Sequence, residues 1–167
     1  MLDYKNILAT VRGILVDHNT TTASPDLSAS LGSYRIDDDS VRIGDPEIQA
    51  IEVMKHHSVF VRISDKDEEW AGIGRTGLSG VPVHGLVRFQ VVGFFRKDGA
   101  VSPHSDMLNG AFNLARNIEG VFREKYTLSG TALWCHPVST DFYGPFDVSG
   151  SWIKTVLIKV EAKYQFK

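Results

Sequence analysis

The sequence predicts an α+β fold in a single domain, residues 1–167, with a central antiparallel or mixed β-sheet packed by two α-helices. Apolar residues recur at helical spacing in two segments, about 4–17 and 103–125, which predicts the helices. Elsewhere apolar residues alternate with polar ones, which predicts strands. The 167 residues, of which 43% are hydrophobic and 23% charged, are typical of one globular domain.

The opening helix is predicted by a single apolar stripe. Its members recur at intervals of three and four residues: Ile7, Leu8, Val11, Ile14 and Leu15. Asp3 is the expected N-cap, and the helix is expected to end near Asp17. Residues 18–46 follow no sustained period, so we expect a long loop that is functional or ordered only by a partner.

The middle of the chain predicts two strands joined by a long arm. Apolar and polar residues alternate over residues 58–63 and again over residues 85–96. Residues 64–84 between them combine an acidic run with glycine-rich sequence. We therefore expect a hairpin arm over about 64–84, with too little apolar content to fold alone.

The second helix, about 103–125, has the longest apolar stripe. Ser102 and Pro103 form a start signal, and Arg123 and Lys125 lie in the last turn, where the helix dipole favours cations. The stripe consists of Met107, Leu108, Ala111, Leu114, Ala115, Ile118, Val121 and Phe122.

The last third predicts more strand. A short strand is expected over residues 131–135 and a turn-rich connection over residues 137–150, where Gly144 and Pro145 lie. Residues 151–166 alternate over their full length and predict a long final strand.

Charge is unevenly distributed along the chain. The 18 basic and 20 acidic residues give a formal net charge of −2, so wrapping of nucleic acid by counterion release is not expected, although Trp70, Phe142 and Tyr143 are candidates for base stacking. Residues 17–70 nevertheless hold twelve acidic and five basic side chains. Two explanations stay open: solvated surface loops, or head-to-tail self-association between acidic and basic sides of neighbouring subunits.

Four short motifs have the residue types of a catalytic or binding site but not the context that their chemistry needs. Residues 72–77 match G-x-G-x-x-G, without a strand before or a helix after them. The three aspartates 37–39 do not have calcium-loop spacing. The adjacent pairs 56–57 (His-His) and 135–136 (Cys-His) diverge in extended backbone. We expect no catalytic, cofactor-binding or metal-binding residues and no enzymatic activity, with a small α+β enzyme or ligand-binding domain of dispersed site residues as the less favoured alternative.

The order of elements resembles the tail terminator proteins of long-tailed bacteriophages, which are related to tail-completion and head-to-tail joining proteins. The resemblance extends over nearly the whole chain and is weakest over residues 18–46. It is carried by the helix 4–17, the strand 58–63, the arm 64–84, the strand 86–95 with its exit Arg96-Lys97-Asp98, the helix 103–125, the segment Thr140-Asp141-Phe142-Tyr143-Gly144-Pro145-Phe146 and the strand 152–166.

This resemblance implies a structural virion protein. It implies a homo-oligomeric ring, six-fold in the family, that caps the head-proximal end of the tail tube, stops polymerisation of the tube protein and joins a neck or head-completion protein. The ring would be assembled in the host cytoplasm, with no cofactor, and DNA would pass through its lumen without specific binding. A neck protein, either a head-completion stopper or a tail-to-head joining protein, is the alternative.

The arm supplies the expected assembly contacts: Glu68, Glu69, Trp70, Arg75 and Leu78. Trp70 is the preferred anchor, because a large amphipathic ring buries much area at low entropic cost, with core packing as the alternative explanation. We expect no contact with a membrane, because no apolar run approaches the length of a span and the amino terminus lacks the basic start of a signal peptide.

Overall fold

The computed structural model describes residues 3–32, 35–46, 56–70, 83–98, 104–148 and 150–166, with the backbone alone for residues 67–70, 83, 104 and 166. These residues confirm the α+β class. Two helices, α1 (Tyr4–Asp17) and α2 (His104–Glu124), pack on a five-stranded sheet. The strands are β1 (Val41–Ile43), β2 (Ser58–Trp70), β3 (Val83–Asp98), β4 (Trp134–Val148) and β5 (Ser151–Phe166).

The sheet is mixed and has the strand order β1-β2-β3-β5-β4. β1 runs parallel to β2, and the three other neighbouring pairs are antiparallel. Among the described strands, β1 and β4 are therefore the two opposite edges of the sheet. In the described part of the chain, no helix is long and apolar enough to cross a membrane.

The predicted bounds of α1 and its cap are confirmed. The Asp3 carboxylate accepts a hydrogen bond from the Asn6 backbone N–H at 3.1 Å, which satisfies one of the free donors of the first turn. Such a cap contributes about 1 kcal/mol. The buried stripe consists of Ile7, Val11, Ile14 and Leu15.

The core lies between the helices and one face of β3 and β5, the two central strands. Phe89 of β3 and Phe122 of α2 are both fully buried, with their ring centroids 5.6 Å apart. Burial of each ring contributes about 1.5–3 kcal/mol. The other buried strand residues of this core are Val41, Val59, Val61, Val87, Val91, Phe95, Cys135, Val156, Ile158, Val160, Ala162 and Tyr164.

The opposite face of the sheet carries a smaller apolar cluster of Phe60, Val92, Phe94 and Ile153. The rings of Phe60 and Phe94 meet edge to face, with centroids 5.7 Å apart. Val92 and Phe94 alternate with the core residues of β3, so their position on this second face agrees with the predicted period of two.

The stripe predicted for α2 is confirmed except at Leu108. Met107, Ala111, Leu114 and Ala115 are buried, whereas Leu108 is 39% exposed. Leu108 lies beside the apolar arc, at its edge, and the helix turns it away from the sheet. The predicted start signal at residues 102 and 103 lies outside the described residues.

Residues 18–46 are mostly a loop, as predicted, and the described part of this loop packs on the core of the same subunit. The segment contains a 3-10 turn, Asp38–Ser40, and ends in β1. Leu27, Leu31 and Ile36 are buried in the core, which holds the segment to the rest of the fold. Isolated apolar residues anchor a loop without showing a helical or strand period, so sequence pattern alone does not reveal them.

The two strands of the predicted hairpin are longer than expected and extend into the arm. β2 continues to Trp70 and β3 begins at Val83, so the acidic residues 65–69 are paired strand, while residues 71–82 lie outside the described residues. Cross-strand ion pairs accommodate the charge: Arg88 lies 2.9 Å from Asp65 and 2.8 Å from Glu161.

The short strand expected over residues 131–135 and the turns expected over residues 137–150 are replaced by one long strand, β4. Two irregularities in its pairing with β5 accommodate Pro137 and the pair Gly144 and Pro145. An edge strand tolerates proline because one row of its backbone groups has no ladder partner. Proline and glycine therefore marked bulges here and not the end of the strand.

Candidate assembly surface

Large exposed apolar side chains are concentrated on one side of the molecule. Among the residues whose exposure is described, one of them, Ile43, lies on β1, and all the others lie on α2, on β4 or between these elements. The latter are Leu108, Phe112, Tyr126, Leu133, Val138, Phe142, Tyr143 and Phe146. Clustered exposure of this kind is typical of a contact surface, whereas single exposed apolar residues are common everywhere.

Three of these side chains form what we name the α2–β4 patch: Leu108, Phe112 and Phe142. Phe112 is 45% exposed and Phe142 is 37% exposed, and their rings meet edge to face with centroids 5.0 Å apart. Leu108 lies one helical turn before Phe112, on the same face of α2. The patch thus joins the outer side of α2 to the edge strand.

The α2–β4 patch has a fixed geometry because hydrogen bonds fasten β4 to α2. The Thr140 hydroxyl donates to the Glu119 carboxylate at 2.5 Å, and Arg123 donates to the other oxygen of that carboxylate at 2.7 Å. Phe142 lies two residues after Thr140, so it is on the same side of β4. A surface whose side chains are held before binding loses less conformational entropy when a partner docks.

β4 is the edge of the sheet on this side. In the described residues it pairs with β5 and with no other strand. A long edge strand with exposed aromatic residues is an aggregation hazard for a protein that stays monomeric. Its presence therefore favours an assembly in which this edge is covered.

The opposite edge of the sheet carries the other exposed apolar side chain, Ile43, which is 44% exposed. Exposed Asp37 and Asp39 lie just before β1 in the chain. We name these three residues the β1 edge surface. Arg12 of α1 holds it in place by donating to the carbonyl oxygen of Val41 at 2.7 Å.

A buried polar network supports the β1 edge surface from behind. The Asn19 amide donates to the carbonyl of Ile36 and, at 2.9 Å, to the carboxylate of Asp38. The Ser28 hydroxyl donates to the Asn19 carbonyl and accepts from the Ile36 N–H at 2.9 Å. Because each of these polar groups is satisfied inside the protein, the network stabilises the loop that carries the acidic residues.

Arg35 and Asp26 close the outer end of this loop with a two-point ion pair, at 2.7 Å and 2.9 Å. Burial acts to raise the pKa of Asp26, but hydrogen bonds from Arg35 and from the Ser28 N–H overcome it and hold the pKa below its ordinary value. The carboxylate is therefore charged at neutral pH and keeps the loop closed.

The predicted contact residues of the arm are placed in part. Glu68, Glu69 and Trp70 lie at the end of β2, where their backbones pair with Gly85, His84 and Val83 of β3. Their side chains, and Arg75 and Leu78 entirely, lie outside the described structure. Their role in assembly stays a prediction.

The candidate chemical motifs have ordinary surroundings where the structure describes them. Cys135 is buried, which raises the pKa of its thiol to about 12, whereas His136 is exposed and its ring lies 4.9 Å from that of Trp134. The two side chains therefore diverge, as predicted. Among the described residues, no group of three or more His, Cys, Asp or Glu side chains gathers into a metal site, and residues 72–77 lie outside them.

His57, the second member of the His-His pair, is buried. Its Nδ1 accepts the Arg96 N–H at 3.1 Å, so its Nε2–H donates to the Leu31 carbonyl at 3.2 Å. The ring stacks on Phe95 at a centroid distance of 4.5 Å. These contacts describe a neutral histidine that connects the loop to β3.

Sequence reasoning missed the α2–β4 patch. The sequence pattern places Leu108 in the buried stripe and makes Phe142 a candidate for base stacking. The available signal was Phe112, a large apolar residue outside the stripe of its helix.

The chain matches no protein-family model and no curated protein.

Proposed function

We propose that this chain is a structural subunit of a bacteriophage tail, a homo-oligomeric ring that caps the head-proximal end of the tail tube and offers a surface to the neck. One observation carries the proposal. Each subunit has two different exposed surfaces, the α2–β4 patch and the β1 edge surface, at opposite edges of one sheet. A ring of identical subunits needs such a pair, because each interface joins two unlike surfaces.

The chemistry of the α2–β4 patch supports assembly. Its aromatic residues are of the type that is enriched at protein interfaces, and they lie on rigid secondary structure. Covering the patch would also remove the exposed edge strand from solvent. The order of helices and strands adds the resemblance to tail terminator proteins, which selects the tail tube as the partner.

The first test is the assembly state of the purified protein. Native mass spectrometry and negative-stain electron microscopy, repeated over a series of protein concentrations, are expected to show a closed ring with a discrete subunit number. A particle that stays monomeric at every concentration, with and without tail tubes, contradicts the proposal.

The second test places the ring. The protein is mixed with tail tubes assembled from phage tube protein, and the tube ends are imaged. Rings at one end, with tube length held constant, are the expected result. Tubes that elongate without caps contradict the terminator role, and rings that bind the neck instead of the tube favour the neck-protein alternative.

A further inference from the structure

The α2–β4 patch has a basic neighbour. Arg116 follows Phe112 by one helical turn, so Leu108, Phe112 and Arg116 lie along one line on the exposed side of α2. Arg116 is exposed, and its side chain has no hydrogen bond or ion pair with another described residue. The surface is therefore an apolar centre with a free positive charge at its rim.

The β1 edge surface is the opposite in charge. Ile43 is its apolar centre, and the carboxylates of Asp37 and Asp39 have no partner among the described side chains. An exposed carboxylate beside an apolar residue is suited to meet an exposed guanidinium beside an apolar patch, because the charges attract while the centres are removed from water.

Strand register places both surfaces on the same side of the sheet. Ile43 lies beside Val61, and Phe142 lies beside Val156. Val61 and Val156 are both buried in the core beneath the helices. Ile43 and Phe142 therefore face the helical side at the two opposite edges, where a single subunit is unable to bring them together.

We propose that the α2–β4 patch of one subunit docks on the β1 edge surface of the next, with Phe112 and Phe142 against Ile43 and with Arg116 paired to Asp37 or Asp39. The occupant of the patch is thus a second copy of this chain. The inference rests on the proposed function in that it names the interface of the ring, but it makes no use of the tube. Because the two surfaces differ, the contact is head-to-tail and each subunit makes it twice.

The test uses two variants, each of which destroys one surface. The patch variant combines Phe112→Ser with Arg116→Glu, and the edge variant combines Asp37→Lys with Asp39→Lys. Each alone is expected to weaken self-association by about 30-fold or more, since truncation of a hot-spot residue at the centre of an interface has an effect of this size. Circular dichroism and thermal unfolding verify that both variants fold.

Two matched variants serve as controls. Tyr143→Ser removes a 48% exposed aromatic residue that directly follows Phe142 and faces the other side of β4. Asp17→Lys reverses an exposed acidic charge at the end of α1 that is not one of the three residues of the β1 edge surface. Both are expected to associate like the wild type.

Mixing the two defective variants gives the sharpest result. The patch variant keeps an intact β1 edge surface and the edge variant keeps an intact patch, so the mixture is expected to form one-to-one dimers and no ring. Dimers in the mixture support the inference. Rings formed by either variant alone overturn it, as does a mixture that stays monomeric while the wild type assembles.

The outcome separates the inference from the proposed function. If the wild type forms rings and both variants also do, the interface lies elsewhere and the ring proposal stands. If the variants dissociate and recombine as expected but the wild-type ring never caps a tube, the interface stands and the tail role fails.

Discussion

Replacement of Gly110 by alanine tests the tightest contact in the core. Gly110 lies in α2 against the ring of Phe95, and a Cβ built at this position overlaps three ring atoms, each nearer than the 3.0 Å that Cβ atoms keep. Movement of the ring is restricted, because His57 stacks on it at a centroid distance of 4.5 Å and is itself held by two hydrogen bonds. The strain therefore has to be taken up by shifting α2 or the His57 loop.

Two opposing contributions determine the net change in the free energy of unfolding. Overpacking of a core costs about 1–3 kcal/mol, and Gly→Ala in a helix interior contributes about 1 kcal/mol in the other direction. We expect Gly110→Ala to lower the free energy of unfolding by up to about 2 kcal/mol, a fall in Tm of up to about 8 °C for a domain of this size. Urea unfolding followed by circular dichroism measures the change, with the slope against denaturant unaltered.

Gly13→Ala is the matched control. Gly13 lies inside α1, and a Cβ there would have nothing within 4 Å, so the same substitution is expected to stabilise by up to about 1 kcal/mol. In a Phe95→Leu background the penalty of Gly110→Ala should largely disappear, since the overlapping ring atoms are gone. If Gly110→Ala stabilises as Gly13→Ala does, the close packing of Phe95 described here is refuted.

Two further predictions concern buried ionisable groups. Burial lowers the pKa of His57 from its ordinary 6.5, so as the pH falls the unfolded chain takes up a proton before the folded protein does. The free energy of unfolding should therefore have its full value above about pH 6.5 and should decrease below that pH, by at most about 1.4 kcal/mol per pH unit. His57→Gln should remove this slope and exposed His136→Gln should keep it, and a slope unchanged by His57→Gln would be the contrary result. Burial raises the pKa of Cys135 to about 12 from 9, so its thiolate fraction at pH 8 is about a thousandfold smaller in the folded protein than in the unfolded chain. Alkylation of Cys135, measured by mass spectrometry, should therefore be slow in buffer and complete in denaturant. Rapid labelling of the folded protein would contradict the buried position.

Sequence periodicity predicted the elements whose apolar pattern repeats over many residues. The stripe of α1 and the alternation of β5 each repeat over many residues, and a tertiary contact at one position does not alter the pattern. β1 has three residues, too few for a period, and its pairing with β2 depends on a loop held by Asn19 and Ser28 through bonds that no sequence pattern announces.

The prolines of β4 gave a wrong prediction, because an edge strand tolerates proline where a central strand does not. Pro137 and Pro145 predicted turns, because proline removes a backbone donor that a central strand needs. β4 is an edge strand, so the missing donors cost no ladder bond on its open side. Whether a strand lies at the edge depends on the order of all five strands, and this order is known only from the fold.

The α2–β4 patch likewise depends on tertiary position and not on sequence pattern. Leu108 and Met107 are adjacent apolar residues of one helix, and about 100° of helical rotation separates the exposed side chain from the buried one. Phe142 and Tyr143 are adjacent aromatic residues of one strand, and they lie on opposite faces of it. In each pair, the position of the sheet edge decides which residue belongs to the exposed surface. Phe112 and Phe142 lie side by side at the edge strand β4, and they would be core residues if a sixth strand followed β4. An apolar surface left open at that edge, with Arg116 at its rim and Asp37 and Asp39 at the far edge, is the arrangement expected if the neighbour beyond β4 is supplied by another subunit.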